Sequence, residues 1–133
     1  MADYVLDTSA VLALRGDEAG ADRVEQILRD AKEGRARVLL SFMSRMEILY
    51  RVTAEEDEEA ARSALRLLEA SAIRWVSCDE EILEAAARIK ARGGLSVADA
   101  WIAATTLRYE AVLVHKDPEF ESLEGLRQER LPH

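Results

Sequence analysis

Tyr4-Val5-Leu6-Asp7-Thr8-Ser9-Ala10 is the stretch on which the fold turns. An apolar run too short for a helix ends at an aspartate. Small residues then carry the chain into a helical pattern from about Ser9 toward Lys32, interrupted near Gly16 and Gly20. The same alternation repeats outward. Val38-Leu39-Leu40 is a second strand candidate, followed by helical patterns from Phe42 to Val52 and from Ala54 to Ala70. Ile73-Arg74-Trp75-Val76 is a third, and Asp79 is placed to cap a helix from Glu80 to Arg92 that Gly93-Gly94 closes. Ser96 to Tyr109 reads as another helix, Val112-Leu113-Val114 as a fourth strand, and a weak fifth falls within Leu126 to Leu131. Short apolar strands separated by helices need crossover connections, so the expected class is α/β: three layers, α/β/α, around a central, largely parallel sheet of four to five strands.

No Pro/Gly/Ser-rich linker and no repeat divides the 133 residues, so one domain over 1–133 is expected. The balance of 49% hydrophobic and 33% charged residues excludes a disordered polyelectrolyte. No apolar run approaches the roughly 18 residues needed to span a bilayer, and Asp3 stands where a signal peptide carries positive charge, so a cytoplasmic protein without membrane association is expected. Cys78 has no cysteine to pair with, and with only His115 and His133 beside it a Cys/His zinc site cannot be assembled. A net charge of −8 argues against coating nucleic acid through a general positive field, and two Trp, three Tyr and two Phe leave little for a base-stacking platform. An acidic surface suits a divalent cation or a basic protein segment.

In open α/β sheets ligands bind outside the carboxyl ends of the strands, and two acids stand there: Asp7 after the first strand and Asp117 after the fourth. Most of the 26 acidic residues have plainer roles. Thr53 and Glu56 read as a capping box, and the Glu55-Glu56-Asp57-Glu58-Glu59 run as first-turn acids that complement a helix dipole. Asp7 is either the cap of the next helix or a functional group. Glu47 falls on a Met43, Met46, Glu47, Tyr50 stripe at i, i+3, i+4 and i+7 that should face the interior; alternatively it closes a Ser44-x-x-Glu47 capping box, which disappears if the helix starts near Ser41. Asp99 is the one acid in an almost wholly apolar helix, with Ser96 as its capping partner, and Asp117 before Pro118 is also a natural turn former. Brought together, Asp7, Glu47, Asp99 and Asp117 would make an oxygen-only site for a hard cation, Mg²⁺ or Mn²⁺. Without a cation, four such charges would repel and raise one another's pKa.

Leu6-Asp7-Thr8-Ser9-Ala10, Ser44-Arg45-Met46-Glu47-Ile48, Leu95-Ser96-Val97-Ala98-Asp99-Ala100-Trp101-Ile102-Ala103-Ala104 and His115-Lys116-Asp117-Pro118-Glu119-Phe120, in that order and spacing, resemble the PIN domain and, within it, the VapC toxins of toxin–antitoxin pairs. The resemblance covers essentially the whole chain. It implies a Mg²⁺- or Mn²⁺-dependent endoribonuclease whose acidic quartet is Asp7, Glu47, Asp99 and Asp117, supported by the hydroxyl of Thr8 or Ser9. Asp7, Asp99 and Asp117 would hold the metal, with Glu47 contacting it or its water. It further implies a homodimer and a small antitoxin whose basic residue enters the acidic site. Arg15, Arg45 and Lys116, near the motifs in sequence, are candidate contacts for RNA phosphates. Two positions depart from the pattern. His115 replaces the Thr or Ser common two residues before the last aspartate, which leaves the role of Asp117 open, and Trp101 is bulkier than the usual aliphatic, as a core substitution would be.

Two other phosphate-handling α/β enzymes fail on single positions. A haloacid-dehalogenase-type phosphatase needs an acid where Ser9 stands, and a receiver domain needs a phosphoacceptor that Trp75-Val76-Ser77 lacks. The alternative from another class is a non-catalytic PIN-like scaffold that binds RNA or protein.

Overall fold

The computed structural model describes residues 1–133. Strands β1 (Ala2–Leu6), β2 (Ala36–Ser41), β3 (Arg74–Val76), β4 (Val112–His115) and β5 (Gln128–Arg130) form one sheet in the order β3-β2-β1-β4-β5. All four pairings are parallel. The weak fifth strand is therefore real, added at the edge beside β4.

Side chains alternate across this sheet, and both of its faces are covered. Val5, Leu39, Leu113 and Val76 point into one apolar cluster beneath α5 (Glu80–Arg92) and α6 (Val97–Arg108). Leu6, Val38, Leu40 and Val114 point into a second cluster beneath α1 (Thr8–Arg15), α2 (Ala21–Lys32), α3 (Phe42–Glu55) and α4 (Glu58–Glu69). A strand buried on both faces needs a continuous apolar run, which is why these segments read as runs and not as alternating patterns. Each buried Leu or Val contributes roughly 1.5–3 kcal/mol, and together they outweigh the cost of a few buried polar groups at the strand ends.

Capping fixes where the helices begin. Asp79 accepts from the Ile82 amide at 2.8 Å and Ser96 from the Asp99 amide at 3.1 Å, both as the sequence predicts. The expected Thr53–Glu56 box is absent. Thr53 lies inside α3, which runs on to Glu55, and the cap of α4 is Asp57, which accepts from the Ala60 amide at 2.7 Å. Two sequence-compatible caps compete here, and the one with a free extended backbone wins.

Gly20 opens α2 at φ +94, where a Cβ would meet the Leu131 Cβ at 2.9 Å. Glycine is required there both for its backbone and for the close approach of the segment after β5. No helix is long and apolar enough to cross a membrane.

Candidate functional site

β1 has β2 on one side and β4 on the other, so the crevice outside its carboxyl end is a point where the strand order reverses. Asp7 sits there, 4% exposed. Its amide continues the sheet by donating to Val114 O at 3.0 Å, and its carboxylate caps α1, with Oδ2 accepting from the Ser9 amide at 3.1 Å and from the Ser9 hydroxyl in a very short bond. Capping and burial thus coexist in one residue. Ser9 Oγ in turn accepts from the Lys116 amide at 3.0 Å, tying the end of β1 to the end of β4.

Glu47 arrives from α3, which begins at Phe42 with Ser41 as its cap, so the Ser44–Glu47 capping box is gone. Glu47 is 8% exposed, and its Oε1 accepts from Thr8 Oγ1 at 2.7 Å. Thr8 Oγ1 also lies 3.0 Å from the buried Ser44 Oγ, and since Thr8 has one proton to give, Ser44 supplies the proton of that second bond. The stripe expected to carry Glu47 inward is not the buried face: Met46 and Tyr50 are 52% and 54% exposed, while Ser44, Glu47, Ile48 and Val52 face inward. Hydropathy misplaces this face because a hydroxyl and a carboxylate take two of its interior positions.

Asp99 stands in the first turn of α6, half-buried, and Asp117 caps a 3₁₀ turn (Pro118–Ser122), its Oδ1 accepting from the Glu119 amide at 2.9 Å. Carboxylate oxygens of Asp99, Asp117 and Glu119 lie within 4.8 Å of one another. Glu119 was not singled out from the sequence. Its signal was a second acid two residues after Asp117, which the Asp-Pro-Glu turn disguised as ordinary loop chemistry.

Burial is the main reason the Asp7 carboxyl is pushed up to about 6, against which the Ser9 bonds act; Glu47 and Asp117 repel it further. Asp99 rises to about 7, again chiefly through desolvation and then through Asp7, Asp117 and Glu47. Asp7 and Asp99 thus both feel Glu47 and Asp117, and no basic side chain relieves either of them. Arg15 bridges to Glu56 at 2.5 Å. Arg45 bridges to Glu69 at 3.2 Å and lies over the Trp75 ring, and the Lys116 ammonium is turned to Ala19 O at 3.0 Å and to Glu18. A crowded, oxygen-only donor set without an internal counter-ion fits a hard divalent cation.

The sequence matches the PIN domain family over residues 4–126. The chain belongs to the PIN domain family. Among solved structures, this PIN domain is similar to the Rickettsia felis VapBC2 structure bound to a DNA fragment from its promoter, with a TM-score of 0.78 and 17% identity over 98% of this chain and 99% of that one. VapBC-1 from nontypeable Haemophilus influenzae aligns with a TM-score of 0.74 and 24% identity over 96% and 97%. The Mycobacterium tuberculosis toxin VapC20, which cleaves the sarcin–ricin loop, aligns with a TM-score of 0.72 and 16% identity over 97% and 99%. At these identities the likeness is one of fold. No curated protein sequence matches the chain.

Proposed function

We propose that this PIN domain is the toxin of a toxin–antitoxin pair, an endoribonuclease that hydrolyses RNA phosphodiesters with Mg²⁺ or Mn²⁺. The observation that carries the reading is the convergence, without a cation side chain, of carboxylates from four chain segments outside the carboxyl end of the central strand: Asp7, Glu47, Asp99 and the Asp117–Glu119 turn. Asp7, Asp99 and Asp117 are the residues to hold the ion, with Glu119 beside them and Glu47 facing it from α3. A bound ion would supply a lowered water pKa and offset the charge that develops on the phosphate.

The chain's own residues do the positioning. Ser9 orients the Asp7 carboxylate through Oδ2 and leaves Oδ1 free of protein hydrogen bonds. Thr8 holds one oxygen of Glu47 in the same way. The partner we infer is a small basic antitoxin, drawn to a chain of net charge −8 and able to place a cation among the carboxylates. An apolar groove of about 290 Å³ between Val11, Leu14, Leu28, Ile48 and Leu68, with Leu67 70% exposed beside it, offers such a partner a place to bury apolar side chains. A homodimer and a cytoplasmic setting complete the reading.

The test is incubation with RNA of mixed sequence and structure. Discrete products are expected with Mg²⁺ or Mn²⁺ and none with a chelator, whereas the scaffold alternative gives binding without metal-dependent products.

A second expectation concerns Glu47→Gln. The amide oxygen still accepts from Thr8, so the metal-free melting temperature should stay level or rise slightly as repulsion is relieved. Mg²⁺ at tenfold its dissociation constant stabilises the parent by about 1.4 kcal/mol through mass action, and the variant should gain less. Thermal melts with and without Mg²⁺ read this, and equal shifts in both proteins would place Glu47 outside the site.

A further inference from the structure

His115 ends β4 with its ring fully buried, tilted against Phe120 at 5.0 Å between centroids. Its Nδ1 lies 3.1 Å from the Asp117 amide nitrogen, its Nε2 lies 2.8 Å from Gln128 Oε1, and Gln128 Nε2 lies 3.1 Å from Phe120 O. Both ends of this chain of bonds are backbone groups with fixed roles. The Asp117 amide can only donate, so Nδ1 accepts; Phe120 O can only accept, so the Gln128 amide turns its NH₂ there and its oxygen to the ring. The ring proton is thereby assigned to Nε2, and every member of the relay is satisfied with one polarity.

The relay grips the 3₁₀ turn at both ends, at the Asp117 amide and at the Phe120 carbonyl. Between those two points the turn carries the Asp117 and Glu119 carboxylates toward Asp99. A hydroxyl at position 115 could hold the Asp117 amide alone. The imidazole does that and also reaches across to Gln128 of β5, whose amide bonds the turn directly at Phe120 O; apart from this relay, the polar side-chain link between β5 and the turn is the exposed Arg130–Glu121 pair.

We propose that His115, braced by Gln128, is a positioning residue that holds the Asp117–Glu119 turn at the spacing a divalent ion needs. This rests on the reading of the acidic cluster as a metal site, but the turn can be observed without metal.

The experiment compares the parent with His115→Asn, whose Oδ1 supplies an acceptor where Nδ1 lies, and His115→Leu, which supplies none. The first readout is amide hydrogen exchange at Asp117 in the metal-free protein. Protection is expected in the parent and in His115→Asn, and a drop of tenfold or more is expected in His115→Leu. The second is Mn²⁺ affinity by calorimetry, expected to weaken at least tenfold in His115→Leu and less than threefold in His115→Asn. Nitrogen chemical shifts of the parent His115 should report a protonated Nε2 and a bare Nδ1. Equal Asp117 exchange in all three proteins overturns the proposal whatever the metal does. A parent that protects Asp117 but binds no Mn²⁺ overturns the metal reading and, with it, the purpose assigned to the turn. Should His115→Leu fail to fold, Gln128→Leu at a half-buried position cuts the same relay one link away; it is expected to raise Asp117 exchange and weaken Mn²⁺ binding, and unchanged values in both count against the proposal.

Discussion

Asp7→Asn is expected to lower RNA cleavage by roughly a hundred- to a thousandfold, the loss typical when one preorganised electrostatic group is taken from a reaction centre. The fold should survive. Asparagine is as good a helix cap as aspartate, so the Ser9 amide keeps its acceptor and α1 its start. The variant also removes a charge from a position only 4% exposed, so without metal it should melt at the parent's temperature or above it. Initial cleavage rates in Mn²⁺ together with melting curves separate the two effects, and a fully active variant would remove the metal mechanism altogether.

The same pair of proteins is expected to differ in how stability follows pH. In the folded chain the Asp7 carboxyl is raised to about 6 and the Asp99 carboxyl to about 7, both from 3.8. Between the unfolded and folded values the native state binds more protons than the unfolded one, so the stability these groups lend is complete at low pH and is lost as pH rises through 6 to 7. For Asp7, buried almost completely, the loss develops to about 3 kcal/mol above pH 7, at about 1.4 kcal/mol per pKa unit. Asp99 is more open to water and adds less. His115 acts in the opposite sense, since burial lowers its pKa and the unfolded state takes up the proton first. Subtracting the Asp7→Asn melts from the parent's cancels that contribution. The variant's advantage should therefore widen from pH 5 to pH 8 in chelator and shrink or reverse when Mg²⁺ is added, because the ion takes the place of the protons. A gap that stays constant over that range would mean that Asp7 is an ordinary surface carboxylate.

Most of the architecture was legible because its signals were local. Tyr4-Val5-Leu6 and Val112-Leu113-Val114 are apolar on both faces of a strand, and Asp79 and Ser96 cap the helices that follow them. The positions of Asp7, Asp99 and Asp117 were legible for a related reason, since a strand end or the start of a helical turn is a place that the chain itself announces; Glu47, in the second turn of α3, had no such marker. What was not legible depended on partners distant in sequence. The buried face of α3 is set by Thr8 and Ser44, which turn a polar edge inward and leave Met46 and Tyr50 in water. The start of α4 depended on which of two neighbouring caps the preceding helix left free. His115 read as a missing hydroxyl because its use requires Gln128, a residue of the edge strand that periodicity barely registers.

The order in which the chain meets its own sheet has a consequence for timing. β1 is the central strand and is made first, yet its neighbour β4 is made after all six α-helices, and Leu6 pairs with Val114 across nearly the whole length of the chain. Pairing over such separations is slow to form and is completed late. Until β4 docks, Asp7 and Glu47 are isolated acids on an incomplete half-sheet, with Asp117 and Glu119 not yet in place. A chain still emerging from the ribosome, or cut anywhere before β4, therefore cannot assemble the carboxylate cluster, and whatever chemistry the cluster performs has to wait until nearly all of the chain has been made.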